Sequence, residues 1–319
     1  SVSKLFVALA VMRLVENGTM RLDADVNDYL GWDLRNPAFP DRSITLAALL
    51  AHQSGLRDGI NYALPMDALL EEELRNTQAW DDAHPPGAYF AYANLNFPVI
   101  AAVMEAASGK RFDTIMRDEI FEPLRLDACF NWTGCSDAKI AAAETLYRPG
   151  GEVARDDLRG VRETCEIVPA RDGSCDKSRY RPGQTGSIFS PQGGLRISAR
   201  DLAKTGQMFL NGGNGFLTRA SLDRMMRARY RTNGQNGDSQ SGYYCGYGLG
   251  TEILPPASTA PHGCDSVPAT TPYFGHSGEA YSLKSGLWWN PESGRGVAYF
   301  RTEVADDDPS GHCFYFCTE

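Results

Sequence analysis

Apolar positions recur at helical spacing as soon as the chain begins. Over residues 4–15, Leu5, Leu9, Met12 and Val15 share one face. Phe6, Val7 and Val11 widen it toward burial on all sides, which predicts a helix deep in a core that Gly18 stops. A short segment follows at residues 26–30, then a helix over 44–52 that ends by Gly55. Phe97, Ile100, Val103, Met104 and Ala107 mark a further helix with Gly109 as its stop. Residues 129–195 are rich in Gly, Pro, Arg and Cys and keep no period, so they read as a long insertion of loops. A helix returns over 199–210, with Leu202, Gly206, Phe209 and Leu210 on one face and Ser198 as its N-cap. From Tyr273 the pattern turns to strands, at 281–289 and 297–301, with residues 290–294 as the turn between them. The expected class is α+β, an antiparallel sheet flanked by helices plus a mainly helical lobe.

Composition narrows the function classes. The 319 residues are 42% hydrophobic, enough for a large core, and carry a net charge of -9 with no basic stripe. Nucleic acid and anionic membranes are therefore not expected partners. The longest apolar run, residues 5–12, is too short to span a bilayer. Eight cysteines stand at 129, 135, 165, 175, 245, 264, 313 and 317, none in a Cys-x-x-Cys motif. Two readings stay open, buried free thiols or local disulfides across loops. We favour the second, with neighbours paired as 129–135, 165–175, 245–264 and 313–317, and with it a periplasmic or secreted location. No metal or organic cofactor is implied.

Ser1-Val2-Ser3-Lys4 is the most informative tetrapeptide. Residues three apart on a helix share a face, so the Ser1 hydroxyl and the Lys4 amine meet there. The helix N-terminus favours a negative serine oxygen and disfavours an ammonium, which suits nucleophile and base. Tyr92-Ala93-Asn94, ahead of the helix with Gly109, adds a phenol to shuttle the proton and an amide to bond substrate or orient the lysine. A third piece should be a strand beside the nucleophile, where backbone N–H groups form an oxyanion hole. Lys204-Thr205-Gly206 lies inside an amphipathic helix, and Lys284-Ser285-Gly286 abuts Trp288 and Trp289, so His276-Ser277-Gly278 is preferred. His52 and His84 read as structural, Trp288 and Trp289 as cover for the sheet, and Asp306-Asp307-Asp308 as a solvated turn. Asn17 and Asn131 head N-glycosylation patterns.

In that order these motifs resemble the family of class C β-lactamases, penicillin-binding D-Ala-D-Ala carboxypeptidases, related esterases and D-aminopeptidases. The likeness runs from Ser1 through Gly18 to Leu30, Ile44 to Leu56, Pro86 to Asn94, Gly193 to Leu202 and on to His276. It implies the β-lactamase/transpeptidase-like fold and a serine hydrolase working through an acyl-enzyme on ester or amide substrates, including D-amino-acid peptides or β-lactam-like compounds. By the same resemblance Ser1, Lys4 and Tyr92 are catalytic and Asn94, His276, Ser277, Gly278 and Glu279 face substrate. The backbone of Ser1 and Glu279 supplies the oxyanion donors. His276 stands where β-lactamases carry Lys, which argues for poor β-lactam turnover. The expected layout is one catalytic unit over 1–319, with a helical lobe over 17–234 and a sheet lobe from 1–16 and 235–319. The family places a helix and strands ahead of the nucleophile, so an upstream segment is expected, as a separate fragment of the same precursor or as sequence outside this chain. Two other readings compete: an N-terminal-nucleophile hydrolase using the Ser1 α-amine, and a non-catalytic sensor or binding module that keeps the fold.

Overall fold

The computed structural model describes residues 1–305. Four longer helices frame it: α1 (Ser3–Glu16), α2 (Asn96–Ser108), α3 (Ala199–Leu210) and α4 (Arg219–Met226). Six strands form one antiparallel sheet: β1 (Tyr230–Arg231), β2 (Gly246–Tyr247), β3 (Glu252–Leu254), β4 (Tyr273–Ala280), β5 (Leu283–Asn290) and β6 (Arg295–Arg301). They lie in the order β6-β5-β4-β3-β2-β1, so every neighbour in sequence is a neighbour in the sheet. This is the α+β arrangement expected, with the sheet starting at Tyr230.

Burial all round makes α1 the centre of the molecule. Leu5, Phe6, Val7, Leu9, Val11 and Met12 are fully buried between the sheet and the other helices, each large side chain contributing about 2 kcal/mol of apolar transfer energy. Asn17 ends the helix and Gly18 turns away with φ 80°. The strand side presses close on it: a Cβ on Gly250 (φ +57°) would fall 2.5 Å from the Ala8 Cβ. The registration of α1 against the sheet therefore depends on a bare backbone at Gly250.

Helix α3 covers the same face of the sheet as α1, packing on β5 and β6. Ser198 caps it by accepting from the Asp201 N–H at 3.1 Å, and Phe209 stacks on Trp289 with centroids 3.8 Å apart. Trp288 and Trp289 are fully buried strand residues, one on each face of β5. The strand expected over 281–289 begins later. Tyr281 and Ser282, at φ 55° and 60°, form a two-residue hairpin turn between Ala280 and Leu283. The helix expected over 44–52 is likewise short, Leu46–Leu50 with Thr45 as N-cap, because His52 takes φ 53° and leaves the helical path.

Residues 129–195 are largely loops, closed at the base where Cys129–Phe130 pairs antiparallel with Leu195–Arg196. Disulfides join Cys129 to Cys135, Cys165 to Cys175 and Cys245 to Cys264, which are three of the expected pairs. The fourth, between residues 313 and 317, lies outside the described residues, as do Asp306-Asp307-Asp308. Asn131 of the second glycosylation pattern is buried and donates to Ser190 Oγ at 3.2 Å. No described helix is long and apolar enough to cross a membrane.

Candidate active site

Two backbone bonds open α1, from the Lys4 N–H to the Ser1 carbonyl at 3.0 Å and from the Leu5 N–H to the Val2 carbonyl at 3.1 Å. They bring the two side chains together, and Lys4 Nζ lies 2.9 Å from Ser1 Oγ. Its other two neighbours are Asn94 Oδ1 at 2.8 Å and the Gln192 carbonyl at 3.0 Å. The amine is fully buried. Burial lowers its pKa from 10.5 to about 7, against the smaller opposing pull of Asp58 and Glu252.

The wall opposite α1 is the segment leading into α2. Asp58 fixes it, accepting from the backbone N–H and the Nδ2 of Asn94 and from the Leu95 N–H, each at 2.9 Å. Because Nδ2 must donate to Asp58, the amide oxygen faces Lys4. His52 supports the same segment from inside. Its Nδ1 accepts from the Ala93 N–H at 3.1 Å, and burial keeps its pKa well below 6.5. The Tyr92 ring is held between two others, His52 at 4.4 Å on one face and Tyr244 at 4.5 Å on the other. Burial raises the Tyr92 pKa well above 10, while neighbouring Ser1 and Tyr244 pull more weakly the other way. The phenol stays protonated at neutral pH, 4.9 Å from Lys4 Nζ measured at the ring centre.

Strand β4 forms the third wall. A Cβ on Gly278 would lie 3.1 Å from the backbone nitrogens of Ser1 and Val2 and 2.8 Å from Ser285 Oγ, so only bare backbone fits beside the helix start. Glu279 follows, exposed. His276 and Ser277 are buried and bonded to protein groups. The Nδ1–H of His276 donates to the Ser277 carbonyl at 2.6 Å and stands 3.0 Å from Glu252 Oε1, while Nε2 is 2.9 Å from the Tyr247 hydroxyl. Ser277 Oγ donates to Glu252 Oε1 at 3.0 Å and lies 3.0 Å from the Tyr243 hydroxyl. Burial lowers the His276 pKa below 6.5, against the raising effect of Glu252, so the ring is neutral.

The structure thus brings Ser1, Lys4, Tyr92, Asn94, His276, Ser277 and Gly278 into one region. Sequence reasoning missed Asp58, Gln192, Glu252, Tyr243 and Tyr244. The Tyr243-Tyr244-x-x-Tyr247 run was the one visible signal for that wall.

Residues 1–312 match the family model described as beta-lactamase. The chain belongs to the beta-lactamase family. Relatives of this beta-lactamase-family chain include esterase EstB of Burkholderia gladioli, 28% identical over 71% of the chain and 60% of its own length. Penicillin-binding protein 4 of Amycolatopsis lactamdurans is 30% identical over 40% of the chain and 33% of its own length. A D-aminopeptidase of Gluconobacter oxydans is 28% identical over 48% of the chain and 27% of its own length. The chain therefore spans only part of each of these relatives. Among solved structures, EstCE1, a hydrolase with promiscuous acyltransferase activity, superposes with TM-score 0.68 at 22% identity over 98% of this chain and 80% of its own. A class C beta-lactamase does so with TM-score 0.65 at 14% identity, over 96% of this chain and 76% of its own. These two likenesses establish the β-lactamase-type fold.

Proposed function

We propose that this beta-lactamase-family chain is a serine hydrolase that cleaves esters or amides through an acyl-enzyme on Ser1. The observation that carries the reading is the 2.9 Å approach of Lys4 Nζ to Ser1 Oγ. The other two neighbours of the amine are carbonyl oxygens, which only accept. A neutral lysine spends its two hydrogens on them and turns its lone pair to the serine hydroxyl. Ser1 Oγ attacks the substrate carbonyl as its proton passes to Lys4. The oxyanion of the tetrahedral intermediate sits at the backbone N–H groups of Ser1 and Glu279, where β4 runs against the start of α1. On collapse the leaving group departs with a proton delivered from Lys4 through the Tyr92 phenol. Water then attacks the acyl-enzyme, giving its proton to Lys4, and as the Oγ–acyl bond breaks Lys4 returns that proton to Ser1 Oγ and the acid is released.

Esterase and D-aminopeptidase relatives support this reaction class. A lysine already at hydrogen-bonding distance favours it over a mechanism that takes the Ser1 α-amine as base. Three disulfides among the described residues support an oxidising compartment, periplasmic or secreted. The deciding experiment traps the protein with a fluorophosphonate and maps the adduct. Labelling at Ser1, lost in Ser1→Ala and slowed in Lys4→Ala, is expected; an adduct on another residue overturns the reading.

A further inference from the structure

The polar groups around Ser1 are already committed to protein carboxylates. Asn94 Nδ2 donates to Asp58 Oδ2 at 2.9 Å. Ser277 donates to Glu252 Oε1 from both Oγ at 3.0 Å and its backbone N–H at 3.3 Å. His276 Nδ1 stands 3.0 Å from the same oxygen. Glu252 is 2% exposed, and its charge reaches Ser1, Lys4 and Tyr92 alike. Asp58 is exposed, and its charge reaches Lys4.

The cationic groups named at Ser1 offset them only in part. Lys4 titrates at about 7, and the buried rings of His52 and His276 are neutral at that pH. Arg196, within electrostatic reach of Ser1, is paired with Asp156 at 2.8 Å. A carboxylate brought next to Ser1 meets two like charges, the buried Glu252, whose repulsion is less screened than in water, and the exposed Asp58, whose repulsion solvent screens more. A neutral acyl group meets no such repulsion.

We propose that Glu252 and Asp58 make the Ser1 site selective by charge: it takes uncharged esters and amides and rejects substrates with a carboxylate close to the scissile carbonyl. This rests on the acyl-enzyme reading above and deepens it to a substrate class, with two named residues that set it.

The test compares p-nitrophenyl butyrate with mono-p-nitrophenyl succinate, which carries a carboxylate in place of the terminal methyl group. Each rate is corrected for that ester's spontaneous release of p-nitrophenolate in buffer, which for the succinate includes attack by its own carboxylate. The wild-type chain should prefer butyrate by roughly a hundredfold at low salt. Glu252→Gln should cut that preference roughly tenfold, and Asp58→Asn about fivefold because solvent screens it, with the Asp58 share shrinking as salt rises. Asp58→Asn keeps an amide oxygen for the Asn94 and Leu95 N–H groups, so it holds the test open if Glu252→Gln fails to fold. A wild-type preference below about threefold, or one unmoved in every folded variant, overturns the proposal. Failure of the underlying reading looks different: Ser1→Ala then hydrolyses both esters as fast as the wild type, or neither ester is turned over at all, and the charge proposal falls with it.

Discussion

Lys4 Nζ sits 2.9 Å from Ser1 Oγ with carbonyl oxygens at 2.8 and 3.0 Å on its remaining sides. An ammonium there donates all three hydrogens and cannot take the serine proton. A neutral amine donates two and keeps a lone pair for Ser1. Burial brings the switch between these forms down from 10.5 to about 7, with Asp58 and Glu252 opposing it and the neutral His52 and His276 adding no charge. Activity should therefore fall about tenfold per unit as pH drops below that value and level off above it. A kcat/KM profile for a neutral chromogenic ester between about pH 5 and pH 9 reads this directly. A profile flat through neutrality would remove Lys4 as the base. Lys4→Arg, which stays charged, should lose about a hundredfold or more at every pH.

Tyr92 makes a separate prediction because its ring and its hydroxyl do different things. Stacking between His52 and Tyr244 holds the ring, while the buried phenol stays protonated and, in the proposed mechanism, carries a proton rather than acting as a fixed anion. Tyr92→Phe should keep the stack and the melting temperature to within a few degrees, yet lower kcat by about a hundredfold. Equal kcat in the two proteins would mean that protons reach the leaving group by another route.

What was readable from sequence follows a physical line. Helix α1 was legible because its apolar positions run on all faces, and α3 because Ser198 and a one-sided stripe mark its start and its buried side. Ser1, Lys4, Tyr92 and Asn94 were legible because their chemistry is local to short segments. The Tyr281-Ser282 turn was not: both residues adopt positive φ without the Gly or Asn that usually signals it. Asp58 and Glu252 sit in ordinary contexts, and their importance comes from partners 36 and 25 residues away. Gln192 acts through its backbone carbonyl, which no side-chain pattern encodes. The neutrality of His276 depends on burial under β-sheet neighbours, a property of packing rather than of the His-Ser-Gly letters.

The disulfide between Cys245 and Cys264 closes a segment with a sequence separation of 19 and lies next to Tyr244, the ring stacked on Tyr92. Replacing both cysteines by serine should cost about 3 kcal/mol of stability, as loop closure of this size predicts. It should also loosen Tyr244 and so lower kcat. The matched Cys165/Cys175 pair, in the insertion away from the tyrosine wall, should cost about 3 kcal/mol while sparing kcat. Urea unfolding and ester hydrolysis on the two double variants separate the effects. Equal loss of kcat in both would place the role of the first disulfide in stability alone.

Glu105 offers a test of the fold rather than of the site. It is fully buried on α2, where Oε2 accepts from the Tyr180 hydroxyl at 2.6 Å and the Gly183 N–H at 2.8 Å, and Oε1 accepts from the Phe112 N–H at 2.8 Å. The bonds from Tyr180 and Gly183 tie the 129–195 insertion to α2. Burial nevertheless outweighs them and raises the carboxyl pKa from 4.5 to about 7. Between those values the folded protein holds a proton that the unfolded chain releases. This contribution is therefore full below the lower value, declines as pH rises through the window, and is gone above about 7, an effect of up to about 3 kcal/mol. Glu105→Gln cannot titrate, so the difference in unfolding free energy between wild type and variant should change with pH across this window and be constant above it. Urea titrations at about pH 5 and pH 8 measure that difference. A gap that does not change between them would mean that Glu105 is charged throughout, and that its three hydrogen bonds outweigh the desolvation.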